Sequence, residues 1–273
     1  MFATPGSHST APSAPRLARI ERRDFAEPAT DLDRPEHLAG YLADLVRPYP
    51  VELVSAMPAG QSYAEMAAAL INATVPASRP VDLLLLCFAV PDLHPGRATA
   101  TYLSHLCPGT PLSFAICEQG SAAAFTGLRI ASEYLASEDC QRALLLVLEQ
   151  AGLPYRVPVP VPAEHRGVAL LLESGGDGPQ LTGLQQVAGV PADQVAKTLA
   201  ELTADRPTAP LLLSESLATH WPNQDRTRIV SAGQPLTGLW WQLSDELTEA
   251  TDLLLADYEP QLGYLSLAAA TSN

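Results

Sequence analysis

The chain carries 273 residues, 47% of them hydrophobic and 17% charged, with a formal net charge of −14. That balance excludes a disordered chain and is enough to bury one large domain or two fused halves. The acidic excess argues against nucleic acid as a partner, because binding there rests on Lys and Arg neutralising phosphates, and no apolar run is long enough to cross a membrane.

Residues 1–15 are rich in Ser, Pro, Ala and Thr. They lack the basic region and apolar stretch of a signal peptide and read as a disordered tail. Leu17 to Phe25 alternates polar and apolar residues, which suits an edge strand. Arg34 to Val46 has a helical face at Leu38, Tyr41, Leu42 and Leu45, and Val51 to Met57 reads as a strand. Tyr63 to Ala73 reads as a helix with Ser62 placed to cap it. Val81 to Val90 is continuously apolar and predicts a central strand. Asp92 and His94 belong to a turn ending at Gly96, and Ala98 to Leu106 is a short helix.

Tyr155 to Pro162 alternates proline with valine, and proline cannot donate to a strand ladder. This connector is taken as the boundary between an N-terminal half, 16–153, and a shorter C-terminal half, 163–273. Beyond it, Gly167 to Glu173 and Leu181 to Val187 read as strands, Pro191 to Leu202 as a helix and Leu211 to Ser214 as a strand. Leu239 to Leu247 is helical, with Trp240 and Trp241 packed against neighbours. Leu253 to Asp257 and Leu262 to Ala268 are closing strands. Strands alternating with helices on both sides of the connector predict an α/β protein.

The stretch Pro111 to Gln150 is the most informative. Leu112 to Cys117 is a short apolar run, read as a strand buried on both faces. Glu118-Gln119-Gly120-Ser121 is a tight polar turn. Ala122 to Ala136 follows as a helix with Ala124, Leu128, Ala131 and Leu135 on one face, and Ala143 to Leu148 is the next strand. Ser121 therefore stands at a helix N-terminus. Serine is a preferred N-cap there, and the same free N–H groups would stabilise an acyl oxyanion. Both readings remain open on the residues alone. The Gly-x-Ser-x-Gly elbow of α/β-hydrolases is missing, since Gln119 and Ala123 stand where glycines are needed. Gly175 to Gly178 lies between strands rather than before a helix, a weak phosphate loop. The four cysteines, Cys87, Cys107, Cys117 and Cys140, form no metal-ligand spacing. Cys87 and Cys117 sit in apolar strand patterns as buried thiols, which points to a reducing cytoplasm.

Four pieces in order resemble the N-terminal half of a thiolase-fold enzyme of the β-ketoacyl-[acyl carrier protein] synthase III type. They are Ser62 to Asp92, His94 to Leu106, Phe114 to Ala131 and Arg142 to Gln150. The resemblance implies a layered α-β-α-β-α sandwich of two related halves. In many members the nucleophile turn reads Gln-Gly-Cys. Anchored on Gln119-Gly120, the alignment puts Ser121 at the cysteine position; counted from Phe114, it puts Gly120 there. The family's histidine turn corresponds to Ser214-Glu215-Ser216, with His220 a few residues on. Its Gly-Asn-Thr turn corresponds to Gly233 to Thr237, where the asparagine is missing.

In the family that His/Asn pair polarises the thioester and stabilises the enolate of decarboxylation. Its loss implies no decarboxylative condensation. The resemblance implies instead an acyltransferase of bacterial specialised metabolism, with Ser121 accepting an acyl group from an acyl carrier protein or coenzyme-A thioester. It implies no permanently bound cofactor. Glu215, as a buried carboxylate, or His220, oriented by Asp225, would be the base. Gln119 and Gly120 would line the pocket, and the N–H groups of Ser121 and of the turn near Thr237 would form the oxyanion hole. The alternative is a catalytically inactive acyl-binding protein or partner subunit of an active ketosynthase. Either way a dimer is expected, formed through Leu112 to Cys117. Two arginine clusters, Arg16/Arg19/Arg22/Arg23 and Arg226/Arg228, are candidate carrier-docking patches or solvated faces.

Overall fold

The computed structural model describes residues 14–27, 35–49, 51–54, 59–94, 98–137, 139–156, 161–223, 225–248 and 251–272. Residues 1–13 of the expected tail, 1–15, and residues 157–160 of the proline-valine run, Tyr155 to Pro162, lie outside them. The strands are β1 (Arg16–Asp24), β2 (Leu83–Cys87), β3 (Leu112–Ile116), β4 (Arg142–Glu149), β5 (Arg166–Glu173), β6 (Gln180–Val187), β7 (Leu211–Leu213), β8 (Thr227–Ile229), β9 (Asp252–Glu259) and β10 (Tyr264–Thr271). The helices are α1 (Pro35–Val46), α2 (Tyr63–Thr74), α3 (Thr99–Leu106), α4 (Ala122–Leu135), α5 (Val195–Leu202), α6 (Glu215–Ala218) and α7 (Gly238–Glu246).

The strand order is β3-β2-β4-β5-β1-β6-β10-β9-β7-β8. Read from each end inward, the two halves of that list are the same list shifted by five. Directions repeat as well. β2 is parallel to β3 and β4, and β5 is antiparallel to β4 and β1. Likewise β7 is parallel to β8 and β9, and β10 is antiparallel to β9 and β6. The two sets meet through one pair, Arg16 with Gln180. The chain is thus an internal duplication.

The period of two along each strand builds the layers. Leu83, Leu85 and Cys87 of β2, with Leu253 and Leu255 of β9, enter a central core shared with α4 and α7. Leu84 and Leu86 turn the other way, toward Met66, Leu70 and Ile71 of α2 and Leu103 of α3. Leu254 and Ala256 of β9 do the same toward Val195 and Leu199 of α5 and Leu217 of α6. Helices outside, sheet, helices inside, sheet and helices outside give the α-β-α-β-α order. Each leucine so buried is worth roughly 1.5–3 kcal/mol. In the central layer Phe125 of α4 meets Trp240 of α7 with ring centroids 5.0 Å apart. The small residues of α4 let it sit close to the sheet: a Cβ on Gly127 would be 2.6 Å from Leu145 Cδ1.

Several expectations are corrected. β1 is flanked by β5 and β6 rather than lying at an edge. β3 lies at an edge instead, as does β8 at the other end, and Leu112 is 54% exposed. Cys117 falls just past β3 and is exposed, so it is not a core thiol. The described part of Val51 to Met57 forms a single bridge, Leu53 to Tyr155. β5 pairs with β4 and β1, so the two strand sets divide between Glu173 and Gln180, and the proline-rich connector runs within the first set. Between β7 and α7, Thr227–Ile229 adds a short strand, β8, parallel to β7. Of the six arginines in the two clusters, Arg19, Arg23 and Arg228 stay exposed, and the other three are engaged by groups of the protein itself. Arg22 chelates Asp245, Arg16 donates to Gly178 O, and Arg226 donates to the carbonyls of Arg206 and Ala209.

Candidate active site

The turn after β3 delivers Ser121 to the first turn of α4 through two left-handed residues, Glu118 at φ 61° and Gly120 at φ 52°. Gly120 is required twice over, by its φ and by its neighbour. A Cβ there would lie 1.9 Å from Glu259 Oε2.

Ser121 occupies the N-cap position but its hydroxyl makes no cap bond. Instead Ser121 Oγ donates to Asp257 Oδ2 at 2.6 Å, with Glu259 Oε2 at 3.3 Å. The Ser121 N–H donates to Glu259 Oε2 at 2.9 Å. Both carboxylates come from the end of β9, in the second half of the duplication. Asp257 and Glu259 are two residues apart and so share a face of the strand.

Asp257 is fully buried, and loss of hydration pushes its carboxyl up to about 6. The nearby Glu259 charge pushes the same way, against the bond from Ser121 and the proximity of Ser214. Asp257 Oδ1 is left without a hydrogen-bond partner.

The internal symmetry separates what is special here from what is structural. Glu149 ends β4 as Glu259 ends β9. Glu149 crosses to the N-terminus of α7, accepting from Leu236 N–H at 2.7 Å, from Thr237 N–H at 2.9 Å and from the Thr237 hydroxyl. Glu259 makes the reciprocal crossing to α4. Each half thus supplies a carboxylate to the helix N-terminus of the other, where a negative charge is favoured. Thr237 and Ser121 are symmetry mates, both at the N-cap. Counted from the strand starts, the mate of Asp257 is Val147. Asp257 is where the symmetry breaks.

A cavity of about 590 Å³ opens on the Ser121 side. Ala89, Val90, Val161, Leu236 and Leu262 contribute its apolar wall. Of the residues singled out from the sequence, Ser121, Gly120, Glu215 and His220 are brought together around it. Their roles differ from those expected. Glu215 is exposed and accepts from Gly233 N–H at 2.9 Å, so it is not a buried base. His220 is not paired with Asp225; its ring stands edge-on to Tyr258 at 5.3 Å. Neither reaches Ser121 by a hydrogen bond. Gln119 does not line the cavity, and its amide oxygen accepts from Thr126 Oγ1 at 2.6 Å. Thr237 is buried away from it. The expected oxyanion hole is occupied: both of its N–H groups are already donated, to Glu259 and to Glu149. Among the described residues no group of His, Cys, Asp and Glu has metal-binding geometry, and no helix is long and apolar enough to cross a membrane.

No protein-family model matches the chain, and no curated protein matches it in sequence. Solved structures do match in fold. The 3-oxoacyl-(acyl carrier protein) synthase III FabH from Pseudomonas aeruginosa superposes with a TM-score of 0.60 at 13% identity, covering 95% of this chain and 99% of that one. Xanthomonas campestris OleA, in a cysteine-to-serine variant with bound lauric acid and lauroyl-CoA, gives 0.64 at 14%, covering 95% and 99%. The acyltransferase ChlB3 gives 0.63 at 18%, covering 95% and 98%. The chain has the thiolase-like α/β fold of ketosynthase III-type enzymes.

Proposed function

We propose that the chain is an acyltransferase in which Ser121 takes an acyl group from a carrier-protein or coenzyme-A thioester and Asp257 is its base. The observation that carries this is the 2.6 Å bond from Ser121 Oγ to the buried Asp257 beside an apolar-walled cavity. A serine needs an adjacent base to be a nucleophile, and hydrogen-bond reach is the geometric requirement. A carboxyl that titrates at about 6 is ionised at neutral pH and more basic than an ordinary aspartate.

Ser121 Oγ attacks the thioester carbonyl carbon and its proton passes to Asp257 Oδ2. Collapse of the tetrahedral intermediate breaks the C–S bond, the departing thiolate takes the proton, and an ester remains on Ser121. An acceptor alcohol or amine then repeats the sequence in reverse. Decarboxylative condensation is not part of this reading, because Ser214 to Ser216 and Gly233 to Thr237 stand where the family's histidine and asparagine turns would be.

A second reading is favoured by one observation. Glu259 holds the Ser121 N–H that an oxyanion would need. On that reading the chain binds an acyl chain without turning it over, as a partner subunit. Intact-mass spectrometry after incubation with a panel of acyl thioesters separates the two. The acyltransferase reading expects a mass gain that is lost in Ser121→Ala and formed about 10²–10⁴ times more slowly in Asp257→Asn. No gain with any thioester supports the binding reading. In both, the unpaired β3 edge with its exposed Leu112 is the surface for a second copy or a ketosynthase, tested by sedimentation. The four free cysteines fit a reducing cytoplasm.

A further inference from the structure

The cavity wall is rich in carboxylates and holds no cationic partner for them. Glu118, Glu215 and Glu259 all line it, and its lining includes no lysine or arginine; its one histidine is His220. Among the described residues none of these three carboxylates, nor Asp257, forms an ion pair. Glu215 is met only by a backbone N–H from Gly233. Glu259 is met by Ser121 and by the N–H of Gln261 at 3.1 Å. Asp257, behind Ser121 and outside the lining, is 2% exposed, and its Oδ1 accepts no hydrogen bond. Glu118 and Glu215 are exposed at the cavity mouth, and Glu259 lies deeper, 9% exposed and accepting only from backbone N–H groups and the Ser121 hydroxyl. The rest of the wall is largely apolar, so a carboxylate-bearing ligand meets only like charge there, whereas a ligand that brings an ammonium group meets three carboxylates.

We propose that this cavity selects an acyl group, or acyl acceptor, that carries a cationic amine, held by Glu259 and Glu215 and excluded if it carries a carboxylate instead. The proposal names the substrate class for the reading above and rests on that reading for its chemistry, but not for binding. An ammonium on Glu259 would also draw that carboxylate off the Ser121 N–H and leave the N–H for the thioester oxygen. Glu259 is then a specificity-determining residue as well as a helix cap.

The test uses wild-type protein and pantetheine analogues in which CH₂ replaces the thioester sulfur, so that nothing can be transferred. The β-alanyl and butyryl analogues have the same chain length and differ by ammonium against methyl; the succinyl analogue carries a carboxylate. Titration calorimetry is expected to give the β-alanyl analogue at least about tenfold tighter binding than the butyryl one, the range of a charge-assisted hydrogen bond, with the succinyl analogue weakest. Glu215→Gln and Glu259→Gln should each shrink the preference, with circular dichroism confirming that each variant is folded. Equal or tighter butyryl binding, an undiminished preference in both variants, or no binding of any analogue at millimolar concentration would each overturn the proposal. A β-alanyl preference without acylation by the true thioesters removes the Ser121 reading and leaves this one. Acylation that is as fast with butyryl as with β-alanyl thioester does the reverse.

Discussion

Replacing Asp257 with asparagine should change how the stability of the protein depends on pH. The carboxyl is raised from 3.8 to about 6 by burial and by Glu259. The folded value is the higher one, so the folded state holds the extra proton between the two. Stability from this group is therefore greatest below about pH 4 and is lost as pH rises through about 6. At about 1.4 kcal/mol per factor of ten, the full loss is about 3 kcal/mol. Near pH 5 about half of it, roughly 1.5 kcal/mol, has already been lost, and near pH 8 all of it. Asparagine has no such titration. Its amide leaves an unmet donor where Asp257 Oδ1 now has no partner, but that penalty is the same at both pH values and cancels in the comparison. The stability of Asp257→Asn relative to wild type should thus be about 1.5 kcal/mol more favourable near pH 8 than near pH 5. For a chain of this length that is about 2–3 °C in Tm. Denaturant unfolding and calorimetry at the two pH values measure it. A relative stability that does not change with pH, or that changes in the opposite sense, would refute the assignment of a desolvated carboxyl to this position.

Three other outcomes follow from the same geometry. Glu149→Ala leaves the buried N–H groups of Leu236 and Thr237 without an acceptor and should cost about 2–4 kcal/mol by denaturant unfolding; Glu149→Gln, which keeps an acceptor, should cost less. Gly127→Ala drives a methyl to within 2.6 Å of Leu145 and 2.8 Å of Cys87 and should destabilise by about 1–3 kcal/mol, read as a drop in the denaturation midpoint. Cys117 alone among the four cysteines is exposed, so a thiol reagent should label one site on the native protein and the remaining three only after unfolding. Because burial and Glu118 push the Cys117 thiol up, that labelling rate should keep rising with pH past the ordinary thiol range.

Much of the scaffold was legible because its signals are local. The unbroken apolar runs that became β2 and β4 admit few readings other than buried strands, and Ser62 with Glu65 forms the capping box that starts α2. Ser121 could be singled out because strand, turn and small-residue helix sit side by side in the chain. Its base could not. Asp257 is 136 residues away and Glu259 is 138, and nothing short of the fold joins them. The signal was there in weak form: two acids spaced by two at the end of an apolar strand, hence on one face, where a buried strand would otherwise carry leucine. The β3 run was misjudged because apolarity tells that a strand packs on something, not whether both of its edges are paired. The boundary was misjudged because prolines mark a break in hydrogen bonding, and here the break falls inside a set of strands that re-forms with β5. The duplication itself was invisible in the residues, since the halves share strand order and direction rather than side chains.

The central claim is that an acyl group ends on Ser121, and peptide mapping of the acylated protein tests it most directly. Trypsin releases residues 98–129 as one peptide that holds Ser121 together with Cys107 and Cys117. After reaction with a thioester, the account predicts the added mass on Ser121, as an ester that survives neutral hydroxylamine and is absent from Asp257→Asn at short reaction times. An adduct on Cys117 that neutral hydroxylamine removes, or an adduct on Ser121 formed equally fast without the Asp257 carboxylate, would contradict it.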